Sequence, residues 1–152
     1  STLPVSPADI PEGHVLREAV MTQVPLVHTN FVDMKFHDAC TSALVISGKG
    51  NQYMEEVAPW TALKKGTEEE KEEAKAALVA VLEAVRVVAV TLKPITPSLS
   101  HRIYNQLGID DSVWESLTWE DATWGNGHLT KGAVISKPSP VFVRFEGDMI
   151  TE

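Results

Sequence analysis

His37 and Cys40 lie three residues apart, a spacing that puts two side chains on one face of a helix. Both are metal-ligand types, so zinc is the first chemistry to test. Tetrahedral zinc takes four ligands, and no second close pair accompanies these two. A packed cysteine beside a surface histidine is the simpler account. The same pair could in principle make an activated thiolate, but no orienting third group or oxyanion site lies near it in sequence. Gly48-Lys49-Gly50 lacks the spacing and the strand-to-helix setting of a phosphate loop. Carboxylates are plentiful, yet none falls in a pattern of matched acid and base. No catalytic residue and no metal ligand set is legible, and the chain alone is expected not to be catalytic.

A different chemistry is written in Asn51-Gln52-Tyr53-Met54-Glu55-Glu56-Val57-Ala58-Pro59-Trp60. This stretch ends a helix on an indole that Pro59 holds in a restricted pose. Asn51, about two and a half turns earlier, offers both amide donors and a carbonyl acceptor. An aromatic plate can stack an unpaired base while a nearby amide reads its edge, as in the recognition of single-stranded RNA loops. A stacked base contributes about 1–3 kcal/mol. On residue chemistry alone the plainer account is that Trp60 packs between helices and Asn51 makes a capping or interhelical bond.

Several helices must position these groups. Pro4, Pro7 and Pro11 mark residues 1–11 as an extended arm. From Glu12 to Met34 the apolar residues Val15, Leu16, Ala19, Val20, Val24, Val27, Phe31 and Met34 follow helical spacing, and Pro25 should kink or split that helix. A second helix is expected from Lys35 to Val57. Its Gly48 and Gly50 cost helix stability, and their usual benefit is close approach of a backbone or a ligand. Lys64-Lys65-Gly66 reads as a turn, and Thr67 with Glu70 as a capping box. The helix that follows is acidic at its start, which suits an N-terminus. Leu78, Val81, Leu82, Val85, Val88, Ala89 and Leu92 then cover more than one face, as in the central helix of a bundle. Pro94 ends it. Thr96 should cap a fourth helix with Pro97 at its first position and Gly108 at its stop. Beyond Gly108, tryptophans stand among turn residues, and Val134-Ile135 with Val141-Phe142-Val143 read as two short strands. The expected fold is all-α: a bundle of about four to five helices over 12–108. Residues 109–152 form a hairpin or extended tail packed on it, in one domain.

Composition limits the partners. The 43% hydrophobic content of 152 residues supports a full core. The longest apolar run, Ala76 to Leu92, is interrupted by Glu83 and Arg86, so no membrane insertion is expected. The lone Cys40 excludes an internal disulfide and suits a reducing compartment. Ser1 is no initiator methionine and no signal-like stretch opens the chain, which reads as a processed or trimmed product. The net charge of −8 argues against non-specific attraction to phosphate backbones. Any RNA contact must be local and rest on stacking and hydrogen bonds.

The stretch from Asn51 to Trp60 resembles the N-x-Y-x-x-x-x-A-P-W signature of class I methionyl-tRNA synthetases. Phe36-His37-Asp38-Ala39 looks like the start of the helix that leads into it. LEAVRVVAVTLKPITPSLSHRIYNQLG, Leu82 to Gly108, is similar to the family's L-x-x-x-R-x-x-A-x-x-L-x-P-x-x-P helix and the helix after it. Trp124-Gly125 and KPSPVFVRFE, Lys137 to Glu146, look like the family's ending. Each piece is weak alone; their order and spacing over about Val24 to Glu146 make the set specific.

The resemblance implies a helical anticodon-binding domain whose partner is the anticodon loop of tRNA(Met). It implies that Trp60 stacks on a base of the CAU anticodon, that Asn51 helps read it, that Pro59 fixes the ring and that Glu55 tunes discrimination. Arg86 matches the family's central-helix arginine, structural or facing a phosphate. The family's catalytic signatures HIGH and KMSKS do not occur here. ATP and methionine would therefore bind outside this chain, and no cofactor is expected within it. The family's first anticodon-domain helix, which carries a further asparagine and an arginine for base reading, would lie before Ser1. The A-P-W form and the ending look bacterial or organellar, implying the cytoplasm or, preferably, a plastid stroma or mitochondrial matrix. The acidity and the missing parts also raise a second class of function: the same fold recruited as a non-catalytic structural subunit, binding protein partners through its arm and its tryptophan-rich tail. An independent small enzyme would need an active-site signature, and none is present.

Overall fold

The computed structural model describes residues 2–142. Among these, six α-helices follow one another: α1 Val15–Val32, α2 Phe36–Val57, α3 Pro59–Lys65, α4 Glu68–Leu92, α5 Pro97–Gln106 and α6 Asp111–Glu115. Single 3-10 turns at Pro7–Asp9 and Trp119–Asp121 flank them. The fold is an all-α bundle. α4 is its axis, in contact with α1, α2, α3 and α5, while α1 and α2 pack on each other. Its buried residues include Val79, Ala80, Ala84, Val87, Ala89 and Val90, which meet Leu16 and Val20 of α1 and Ile46 of α2.

The helix signals work largely as their chemistry dictates. Thr67 accepts from the Glu70 amide at 3.2 Å, and Glu70 accepts from the Thr67 amide at 2.7 Å, closing a full capping box. Gly108, at φ 72°, ends α5: Ile109 N–H reaches Tyr104 O and Gly108 N–H reaches Asn105 O, the paired bonds of a Schellman motif.

Five expectations need correction. Pro25 does not split the first helix; α1 runs unbroken from Val15 to Val32. Pro25 lies on an exposed face, and Met21, whose carbonyl loses its helical partner there, is 60% exposed. Water can then satisfy the orphaned group. Residues 58–66 are not merely a helix end and a turn, because α3 intervenes. Thr96 makes no side-chain cap; its hydroxyl instead donates back to Leu92 O. Gly48 and Gly50 approach nothing, since a Cβ at either would meet no atom within 4 Å. Val134 pairs with Thr2 of the arm in an antiparallel bridge, rather than with Val141-Phe142. Val143, and the family-like ending from Val143 to Glu146, lie outside the described residues.

The arm and the tail hold each other. Leu3 N–H donates to Ala133 O and Gly132 N–H to Leu3 O. The Trp124 indole donates to Pro7 O at 2.8 Å. Leu3, Pro7, Ile10 and Trp124 are buried. These four side chains are committed to the fold, while Val134 and Phe142 of the tail remain exposed.

Candidate functional site

α2 ends without a glycine. Ala58 takes the left-handed position, at φ 43° and ψ 55°, which a Cβ normally disfavours by about 1–2 kcal/mol. Its N–H still bonds to Met54 O, and its own carbonyl accepts from Thr61 N–H. This single residue turns the chain between two helices. Pro59 then occupies the first position of α3, where its missing N–H costs nothing, and is buried. Trp60 follows at the second position and is carried outwards, 48% exposed. Neither account of a packed indole nor of a bonded amide holds. Among the described residues Trp60 Nε1 has no hydrogen-bond partner, and neither does the exposed Asn51 amide.

Asn51 and Glu55 sit one turn apart on α2 and are both exposed. Asn51 lies along a shallow apolar groove of about 310 Å³ between α2, α4 and α5, which Val85, Val88 and Ile103 also line. Trp60 is not part of that groove. The α2 axis runs about 9 Å from Asn51 to the helix end, so plate and amide share one end of the bundle without sharing a cavity. Sequence reasoning missed Lys64. It stands one turn beyond Trp60 on α3, exposed and without an ion-pair partner among the described residues. The i,i+4 relation to Trp60 becomes visible only once α3 is known to be a helix.

Arg86 is elsewhere. It is fully buried in α4, so the phosphate-facing role drops out and the structural one stands. Every guanidinium N–H is used. Nε and Nη2 grip Glu83 at 2.9 and 2.7 Å, Nη1 donates to Asp121 O and to the Tyr104 hydroxyl, and Nη2 also donates to Thr123 O. Burial works against the charge, and the Glu83 carboxylate outweighs it, holding Arg86 above its ordinary value. Burial also raises the Tyr104 phenol against the pull of Arg86. Gly125 N–H donates to Glu83 at 2.8 Å, so the pair fastens the tail to α4.

His37 is exposed and Cys40 half-buried. No group of three or more metal-ligating side chains occurs among the described residues. No described helix is long and apolar enough to cross a membrane.

A family model described as the anticodon binding domain of methionyl tRNA ligase matches residues 3–152. The chain is 42% identical over 146 residues to the chloroplastic/mitochondrial methionine–tRNA ligase of Arabidopsis thaliana, covering 96% of this chain and 23% of that protein. To the methionine–tRNA ligase of Thermosynechococcus vestitus it is 34% identical over 143 residues, covering 91% of this chain and 26% of that protein. Among solved structures, the free-state methionyl-tRNA synthetase of Mycobacterium tuberculosis matches with a TM-score of 0.80 at 21% identity. That match covers 94% of this chain and 28% of that one, and it speaks to the fold. The chain thus spans about a quarter of the length of the relatives it matches.

Proposed function

This chain belongs to the anticodon-binding domains of methionyl-tRNA ligases, and from that premise we propose that it reads the CAU anticodon of tRNA(Met). Trp60 stacks on an unpaired base, and Asn51 hydrogen-bonds a base edge. Pro59, buried at the first position of α3, sets its pose. Glu55 stands one turn from Asn51 and disfavours wrong bases. The observation that carries this reading is the exposed indole: a large aromatic surface, 48% accessible, costs solvation unless a partner covers it. Lys64 supports the reading, because it puts a positive charge one turn from the indole on a chain of net charge −8. Arg86 takes no part, being sealed and saturated.

The same reading makes the chain the recognition module of an ATP-dependent ligase that attaches methionine to its tRNA, with ATP and methionine bound outside these residues. A relative named chloroplastic/mitochondrial supports an organellar setting, in a plastid or a mitochondrion. The recruited-subunit alternative counted on the arm and the tryptophan-rich tail as contact surfaces. Leu3, Pro7, Ile10 and Trp124 of those surfaces are buried, and the tryptophan left exposed is Trp60, which favours the RNA reading.

The test is a titration of short RNA hairpins followed by indole fluorescence. A CAU loop quenches and binds tightly, and a loop with its first anticodon base changed binds more weakly. Equal affinity for the two loops would remove sequence reading from this domain.

A further inference from the structure

Of the four asparagines, Asn30, Asn51 and Asn105 precede Phe31, Gln52 and Gln106; Asn126 alone precedes a glycine. Asn126 stands at the fastening of the tail. Its Nδ2 donates to both the carbonyl and Oδ1 of Asp121, each at 3.3 Å, and its Oδ1 accepts from His128 N–H at 3.0 Å. Gly127 is exposed at φ 94°, and a Cβ placed there would meet nothing within 4 Å. Among the described residues its N–H has no recorded acceptor.

From this geometry we propose that Asn126-Gly127 is a site of spontaneous deamidation whose product loosens residues 118–129 from α4. The Gly127 nitrogen, unhindered and unbonded, loses its proton to hydroxide and attacks Cγ of Asn126. His128 N–H already points at the oxygen on which negative charge develops, and that bond strengthens as it does. The attack closes a five-membered ring; the Cγ–Nδ2 bond then breaks, the nitrogen, held by two long bonds, takes a proton from water and leaves as ammonia, hydroxide is regenerated, and the imide remains. Water then opens the ring at either carbonyl, giving aspartate or isoaspartate at position 126.

The new carboxylate faces Asp121 where an amide donated before. Two donor bonds become a like-charge contact at about 3.3 Å. Asp121 is not a spare residue. Its other carboxylate oxygen accepts from Thr118 N–H at 2.8 Å, and its carbonyl accepts from Arg86 at 2.7 Å. Repulsion at 126 is thereby passed to the buried Glu83–Arg86 pair.

The experiment incubates the whole chain at mildly alkaline pH and maps its peptides by mass. A gain of about one dalton is expected in the peptide holding Asn126 before any gain at the other three asparagines. Hydroxylamine, which traps the imide, should cut the chain between 126 and 127. Gly127→Ala should slow the gain by an order of magnitude, but a side chain at that φ is strained, so the hydroxylamine cut is read on the unaltered chain. Asn126→Asp should lower the thermal midpoint by about 2–4 °C. An unmodified Asn126 peptide, or first modification at another asparagine, overturns the site. An unchanged midpoint in Asn126→Asp overturns its effect on the tail.

Discussion

The middle of α4 and the stretch that runs from α2 into α3 both carry residues of the family pattern, and the two have opposite surroundings. Arg86 is wholly enclosed and spends every donor on protein acceptors. Trp60 and Asn51 are open, and their polar atoms have no partner among the described residues. Residue type alone did not separate these roles, since an arginine is a ready phosphate ligand and a tryptophan a ready core residue. The inventory of used and unused polar groups did. A saturated group holds a structure together, and an unsaturated one beside an exposed ring can receive a ligand.

The sharpest way to break this contrast is at the closed region. Arg86→Ala strands Glu83 in the core and frees the carbonyls of Asp121 and Thr123, so stability should fall by about 3–5 kcal/mol. Urea unfolding reads this directly; a loss below about 1 kcal/mol would mean that the pair is not the fastening described here.

A smaller effect sharpens the open region. Ala58→Gly relieves the left-handed strain between α2 and α3 and should raise stability by about 0.5–1 kcal/mol. The same thermal or urea assay checks it, and destabilisation would contradict the turn geometry.

The smallest effect is one of pH. His14 accepts the Leu16 amide at the start of α1 and touches the Tyr53 hydroxyl at 3.1 Å. His128 lies within 3.5 Å of Asp121. Burial lowers both histidines from the ordinary value of 6.5. The unfolded chain therefore binds more protons than the folded one just below that value, so stability is full above pH 6.5 and declines as pH falls. His14→Asn keeps an acceptor at the helix start and should flatten part of the slope. A stability curve level between neutral and mildly acidic pH would refute this account of the two histidines.

Much of the architecture was legible in local chemistry. The box at Thr67, the stop at Gly108 and the all-round apolar character of the central helix are each decided within a few residues. What was hidden depends on distant parts. Pro25 continues a helix because the exposed face beside it lets water replace a bond. Val134 bridges to Thr2 of the arm because Leu3 and Ala133 bond across the tail. α3 escaped notice because Ala58 does the work usually left to glycine, and with it Lys64 escaped too. At the candidate site, the sequence named Trp60, Asn51, Pro59 and Glu55 but could not say which polar groups remain unused. That question was settled for Arg86 by acceptors nearly forty residues downstream.

The central claim is that the Trp60 indole is a platform for a base. Its most direct test compares the chain with Trp60→Ala in binding a CAU hairpin at fixed salt, with thermal midpoints measured alongside. The account predicts an unchanged midpoint and a loss of about 1–3 kcal/mol in affinity. Equal affinity in the two proteins, at equal stability, would contradict it.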